Sequence, residues 1–102
     1  MAFRIEYDPE AALDLYFHTQ RQSWLRRQIE EALGHDPLRN TINNGPMRPN
    51  TLDAQRRLRR EPFRIYYDVY EAEALVYVLA VCEKRGNRVL RRGKELRLGN
   101  GS

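Results

Sequence analysis

The sequence predicts an α+β fold: an N-terminal strand, a two-helix hairpin, and then a mainly antiparallel sheet of about four strands. Three observations predict it. Phe3, Ile5 and Tyr7 alternate with Arg4 and Glu6; apolar residues then recur at helical spacing up to Leu33; and period-two alternation returns from Arg57 onward.

The first strand is the half-buried segment 3–7. Asp8, Pro9 and Glu10 then supply an N-cap, a proline at the first helical position and an acid in the first turn, so a helix begins at once. Leu13, Tyr16 and Phe17 share one face of that helix, and the polar group 19–23 breaks it from a second. In the second helix Trp24, Leu25, Ile29, Ala32 and Leu33 recur at helical spacing, and Gly34 stands where a left-handed C-cap is wanted.

Residues 36–53 hold Pro37, Asn40, Asn43, Asn44, Gly45, Pro46, Pro49 and Asn50, a density of turn formers that excludes a long regular element. Arg39 and Arg48 give this long loop a means of contacting an anion. A hairpin follows, with Leu58 apolar between Arg57 and Arg59 and a turn at 60–62. In its second strand Phe63, Ile65, Tyr67 and Val69 share one face, and Arg64, Tyr66 and Asp68 the other. After a turn at 71–73, residues 75–82 are apolar on both faces, as expected at the middle of a sheet. Val89 and Leu90 fit a short edge strand or a helical turn.

The 102 residues are enough for one modest core, so a single domain is expected over 1–98, with a disordered tail at 99–102. Hydrophobic residues make up 41% and charged residues 31%, a globular balance. The net charge is +4 and the pI about 9.6, with the arginines gathered at 56–64 and 84–97. A clustered excess of guanidinium groups favours a polyanion or an acidic protein segment as partner. The one cysteine, Cys82, excludes an internal disulfide, and its apolar setting reads as a buried small hydrophobe. With no apolar run resembling a leader or a membrane span, a cytoplasmic protein is expected. His18 and His35 lack second ligands at metal spacing and read as surface residues, so neither a metal nor another cofactor is expected.

The side of the sheet on which the arginines fall carries the functional reading. If Leu58, Phe63, Ile65 and Tyr67 face the helices, period two sends Arg57, Arg59, Arg64 and Tyr66 to the opposite face. Guanidinium forks clamp phosphates and tyrosine rings stack on unpaired bases, which suits single-stranded RNA. A solvated charged surface produces the same pattern.

The stretch Leu58-Arg59-Arg60-Glu61-Pro62-Phe63-Arg64-Ile65-Tyr66-Tyr67-Asp68-Val69 resembles the leucine-arginine strand, turn and aromatic-arginine-aliphatic-x-tyrosine strand of the RelE/ParE toxin superfamily. The stretch from Val78 to Asn87 is similar to that family's last central strand running into a basic turn, and Asp36-Pro37 with Pro46-Met47-Arg48-Pro49 resembles the proline-rich connection of a subgroup. The resemblance implies the toxin of a type II toxin-antitoxin system, in the favoured branch a ribosome-dependent mRNA endonuclease that stops translation. It implies catalytic roles for Arg64 at the reacting phosphate, for Arg57 on the preceding strand, and for Lys84 or Arg85 in the basic turn, where one extra residue leaves both open. Arg59, Tyr66, Arg48 and Arg88 are expected to bind RNA. The implied partners are a cognate antitoxin, through an acidic and apolar segment, and mRNA on the ribosome, with the toxin alone a monomer and no membrane involved.

RNA cleavage by its own 2′-hydroxyl needs a base, stabilisation of the phosphorane-like state, and an acid for the leaving 5′-oxygen. The cations supply mainly the second. Where the nuclease branch places a late tyrosine, this sequence has Leu90, with Tyr66 or Tyr70 as possible substitutes. Two other functions fit the same residues: a ParE-like inhibitor of DNA gyrase, and an RNA-binding module without chemistry.

Overall fold

The computed structural model of the protein describes residues 2–99. Strand β1 (Arg4–Tyr7) runs directly into helix α1 (Pro9–Phe17). The helix start is built as the sequence predicts: the Asp8 carboxylate accepts the Glu10 N–H at 2.9 Å, and Pro9 sits where an N–H has no helical partner. A 3₁₀ turn over Thr19–Arg21 makes the expected break before helix α2 (Gln22–Leu33). Gly34 ends α2 for a different reason from the one expected. Its φ is −73°, not left-handed, and glycine is needed because a Cβ there would fall 2.6 Å from the Glu30 carbonyl oxygen.

The remaining strands are β2 (Asn44–Pro46), β3 (Arg56–Arg60), β4 (Phe63–Tyr70), β5 (Leu75–Arg85), β6 (Arg88–Arg91) and β7 (Lys94–Glu95). They pair antiparallel in that order, while β1 joins β5 in parallel, making seven strands among the described residues. The strands beyond the four expected are the short β2, β6 and β7. The first lies inside the turn-rich loop, and the second settles Val89 and Leu90 as strand. Strand β5 is the middle of the sheet: β4 lies on one side, and β1 and β6 share the other, at opposite ends.

One face of the sheet carries Leu58, Ile65, Tyr67, Val76, Val78 and Val81 against Ala11, Leu15, Leu25, Ile29 and Leu33 of the helices. This is the main core, and it accounts for the alternation in β3 and β4. The opposite face is more covered than alternation alone predicts. Tyr66, Ala80 and Cys82 bury their apolar surface there beneath Met47 and Leu52 of the loop and Val89, Leu96 and Leu98 of the C-terminal segment. That segment is tied to the loop, the Thr51 N–H donating to the Leu98 carbonyl at 2.9 Å and the Thr51 hydroxyl to the Arg97 carbonyl at 2.7 Å. Gly99 lies beside Asn50 and Thr51. Of the tail expected at 99–102, residues 100–102 lie outside the described residues.

A buried carboxylate joins the two ends of the chain. Asp14 of α1 is 0% exposed and accepts the Val81 N–H at 2.9 Å, Arg91 Nε at 3.1 Å and Arg92 Nη1 at 2.6 Å. Arg92 also donates to Glu10 at 2.7 Å. Two guanidinium groups and a backbone donor meet the condition under which an ionised carboxylate is tolerated in a core.

Candidate functional site: an arginine-lined cleft

Register decides which charged side chains meet. Arg57 lies directly across from Tyr66, Arg59 across from Arg64, Arg64 across from Cys82, and Lys84 across from Val89. Residues opposite one another point to the same side, so all of these share the face away from the helices. The alternation of β3 and β4 placed Arg57, Arg59, Arg64 and Tyr66 together, and the structure does the same.

A cleft of about 230 Å³ opens on this face. Arg57, Arg64, Tyr66 and Lys84 line its sheet side, Arg48 and Asn50 its loop side, and Met47, Pro49, Val89 and Leu98 give it an apolar wall. Of Lys84 and Arg85, both expected in the basic turn, Lys84 lines the cleft, whereas Arg85 is outside it, 3.5 Å from Glu83. Arg59 and Arg88 also lie outside the lining, Arg59 beside it on β3 and Arg88 exposed at the start of β6.

The cations are unequally satisfied. Arg64 is nearly buried and donates to Glu61 at 2.6 Å and to the Phe63 carbonyl at 3.0 Å. Sequence alternation placed Arg64 off the main core; it is nonetheless enclosed, because the loop and the C-terminal segment roof this face. Arg57 Nε and Arg59 Nε are buried with no hydrogen-bond partner among the described residues. Burial lowers the pKa of Arg57 and its neighbours Arg59 and Arg64 lower it further, against an opposing influence of Tyr66. The arginine remains a cation, held beside two others, with Glu61 the one carboxylate paired to the group among the described residues. Such a site gains most from an added anion.

The proton-handling groups are placed less favourably. Burial pushes the Tyr66 hydroxyl up to about 12, and the Cys82 thiol behind it is likewise pushed up to about 12. Leu90 pairs with Glu83 and turns to the helix side, so the β6 residue that reaches the cleft is Val89. Tyr70 sits at the far end of β4, opposite Leu75. Neither it nor Leu90 brings a hydroxyl to the cleft. His18, expected at the surface, is instead partly buried, edge-on to Phe17 and Phe63 with centroids 5.1 and 5.0 Å away, on the helix side. His35 is exposed. No cluster of three or more His, Cys, Asp or Glu able to hold a metal is found among the described residues.

Sequence reasoning missed the wall residues Met47, Pro49, Val89 and Leu98, and Asn50 on the loop side. The density of Asn and Pro marked the loop, but nothing local says that it folds over β3 or that Leu98 returns to meet it.

No family model matches the chain, and no curated protein matches it. Among solved structures, a chain of the toxin-antitoxin complex RelBE2 from Mycobacterium tuberculosis is similar at a TM-score of 0.60 and 22% identity, over 82% of this chain and all of that one. The chain has a RelE-like fold. The Escherichia coli toxin RelE, in a mutant form in the free state, aligns at a TM-score of 0.49 and 19% identity, over 79% of this chain and 82% of RelE. In the RelE-like fold of this chain the cleft occupies the sheet face opposite the helices, at the β3–β4–β5 end where the basic residues collect. No helix among the described residues is long and apolar enough to cross a membrane.

Proposed function

We propose that this chain is the toxin of a toxin-antitoxin pair and that its cleft cleaves messenger RNA positioned by the ribosome. The observation that carries the proposal is the convergence of Arg57, Arg64, Lys84 and Tyr66 on one cleft, with Arg57 Nε lacking a protein partner. The RelE-like fold supports it, since the similar chain comes from a toxin-antitoxin complex.

The reaction that suits the cleft is attack of a ribose 2′-hydroxyl on the adjacent phosphorus. The new O–P bond forms as the P–O5′ bond breaks, and since the lining holds no His, Asp, Glu or Cys, the proton of the 2′-hydroxyl passes to solvent water and the departing 5′-oxygen takes one from it. Arg57 and Arg64 flank the phosphate and Lys84 adds a third positive charge, so negative charge on the equatorial oxygens is stabilised by groups already in place. Losing one such donor typically costs about 10²–10³ in rate. Tyr66, 1% exposed beneath the loop and the C-terminal segment, forms the floor of the cleft, and its hydroxyl, protonated up to about 12, is not the base. The partners are the message and an antitoxin whose acidic segment competes for the same cations.

A second reading, binding without cleavage, has its own support: the cleft lining contains no His, Asp, Glu or Cys. It covers an RNA-binding module and a gyrase-binding toxin alike. The test is a cell-free translation reaction in which message ends are mapped by primer extension, with wild type, Arg57→Ala and Lys84→Ala in parallel. Ribosome-dependent cuts that disappear in the variants are expected. Translation arrest without cuts transfers the proposal to binding, and intact translation with inhibited gyrase supercoiling transfers it to the ParE-like target.

A further inference from the structure

The cleft lining mixes two chemistries: Arg48, Arg57, Arg64 and Lys84 are cations, and Met47, Pro49, Val89 and Leu98 beside them are apolar, with Tyr66 buried at the floor. Phosphate accounts for the cations only. An apolar wall held open beside an anion site asks for a ligand with a flat apolar part attached to a phosphate. The cleft volume of about 230 Å³ leaves room for a flat ring beside the phosphate.

The polar groups of the cleft also show how little of that base can be read. Asn50 carries the one side-chain amide in the lining, and amides are the groups that distinguish bases by paired donor and acceptor contacts. Both ends of it are committed. The Asn50 Oδ1 atom accepts the backbone N–H groups of Leu52 and Ala54, each at 3.1 Å, and Nδ2 donates to the carbonyls of Arg48 at 2.8 Å and Ala54 at 2.9 Å. Its work is to hold the loop in shape. The remaining charged side chains are donors that phosphate oxygens satisfy, and the Tyr66 hydroxyl both donates and accepts and so discriminates poorly.

From these two facts we infer that the Met47–Val89–Leu98 wall is a subsite for a single unstacked nucleobase, gripped by shape and apolar contact without regard to its identity. The inference rests on the RNA reading of the cleft and adds to it where the base sits and why base identity is ignored. Leu98 belongs to the segment that Thr51 ties down, so the C-terminal segment is part of the substrate site and not a passive end.

The test measures binding by fluorescence anisotropy at low salt, using labelled 2′-O-methyl oligomers of A, C or U, which bind without being cleaved, and an abasic oligomer of equal length. The wild type should bind the three base-bearing oligomers within about threefold of one another and the abasic one roughly tenfold more weakly, the scale of one stacked or packed base. Met47→Ser and Leu98→Ser should each weaken A, C and U in parallel while leaving the abasic oligomer unchanged. Leu98→Tyr, which adds stacking surface, should tighten all three, so the subsite is tested by a gain as well as by losses. A spread of more than about tenfold among the bases overturns base-blind gripping. Equal affinity for abasic and base-bearing oligomers, still lost in Arg57→Ala, overturns the base subsite and leaves the RNA reading standing. No binding to any oligomer overturns the base subsite, and if ribosome-dependent cuts are absent as well it overturns the RNA reading with it.

Discussion

Arg64 donates to Glu61 across 2.6 Å, yet the arginine side chain is only 6% exposed and the glutamate side chain 70% exposed. A fixed cation is thus neutralised by a carboxylate that water can solvate equally well, and a phosphate can take that place at little cost.

Replacing Glu61 by Gln should therefore strengthen RNA binding by a few-fold. An ion pair with one partner in water contributes at most about 1 kcal/mol, so the urea midpoint should move little. Anisotropy with a 2′-O-methyl oligomer and a urea titration check the two halves. Weaker binding in Glu61→Gln would mean that the carboxylate orients Arg64 instead of competing with substrate.

Arg57→Ala should separate activity from folding. Its Nε has no partner, and Arg59 and Arg64 both oppose its charge. Loss of message cleavage by about 10²-fold or more is expected from removing one charge-stabilising group. Stability should be unchanged or slightly raised. A variant that unfolds would show that Arg57 is structural.

Asp14→Asn should do the opposite. The change keeps the shape but leaves Arg91 and Arg92 around a neutral amide in a fully buried site. Breaking a buried pair from one side costs about 3–5 kcal/mol, visible as a large fall in Tm. A drop under about 1 kcal/mol would show that water replaces the lost charge.

Stability should depend on pH through His18. Burial lowers its pKa, and Arg21 lowers it further, against the opposing charges of Glu83 and Asp14. Because the folded protein holds this proton less tightly than the unfolded chain, the contribution of neutral His18 is complete above about pH 6.5. It is lost as the pH falls from there through the lower folded value. His18→Phe should flatten the stability profile in that window. An unchanged slope would assign the pH dependence to other groups.

Tyr66→Phe should retain most of the cleavage rate, because the side chain is 1% exposed and its hydroxyl, protonated up to about 12, cannot act as the base. A loss of about 10²-fold, the scale of general acid–base catalysis, would instead make Tyr66 the proton donor. Single-turnover primer extension across pH distinguishes the two.

The fold was legible wherever a single period governs. Alternation in β3 and β4 assigned Leu58, Ile65 and Tyr67 to the helices and Arg57, Arg59, Arg64 and Tyr66 to the opposite face, because one buried face suffices to fix strand register. Arg85 and Lys84 were not separable by sequence, since each is one residue from the other and only pairing with β6 decides which faces in. Asp14 escaped notice for a related reason. An acid among Leu13, Leu15 and Tyr16 reads as a surface residue until Arg91 and Arg92, 77 and 78 positions away, are brought against it. The cleft wall was illegible because Met47 and Leu98 are brought to one face by the tie of Thr51 to residues 97–98, a contact across 46 positions that leaves no local pattern.

The tie between Thr51 and residues 97–98 has a consequence for synthesis. A nascent chain can form β1, α1, α2 and the β3–β4 hairpin while it lengthens, but β1 gains its sheet partner only with β5, and the cleft gains its last wall only with Leu98. Long-range closures of this kind form late. Shorter chains carry the arginines without the wall that encloses them, so the cleft is complete only after residue 98 has been released from the tunnel.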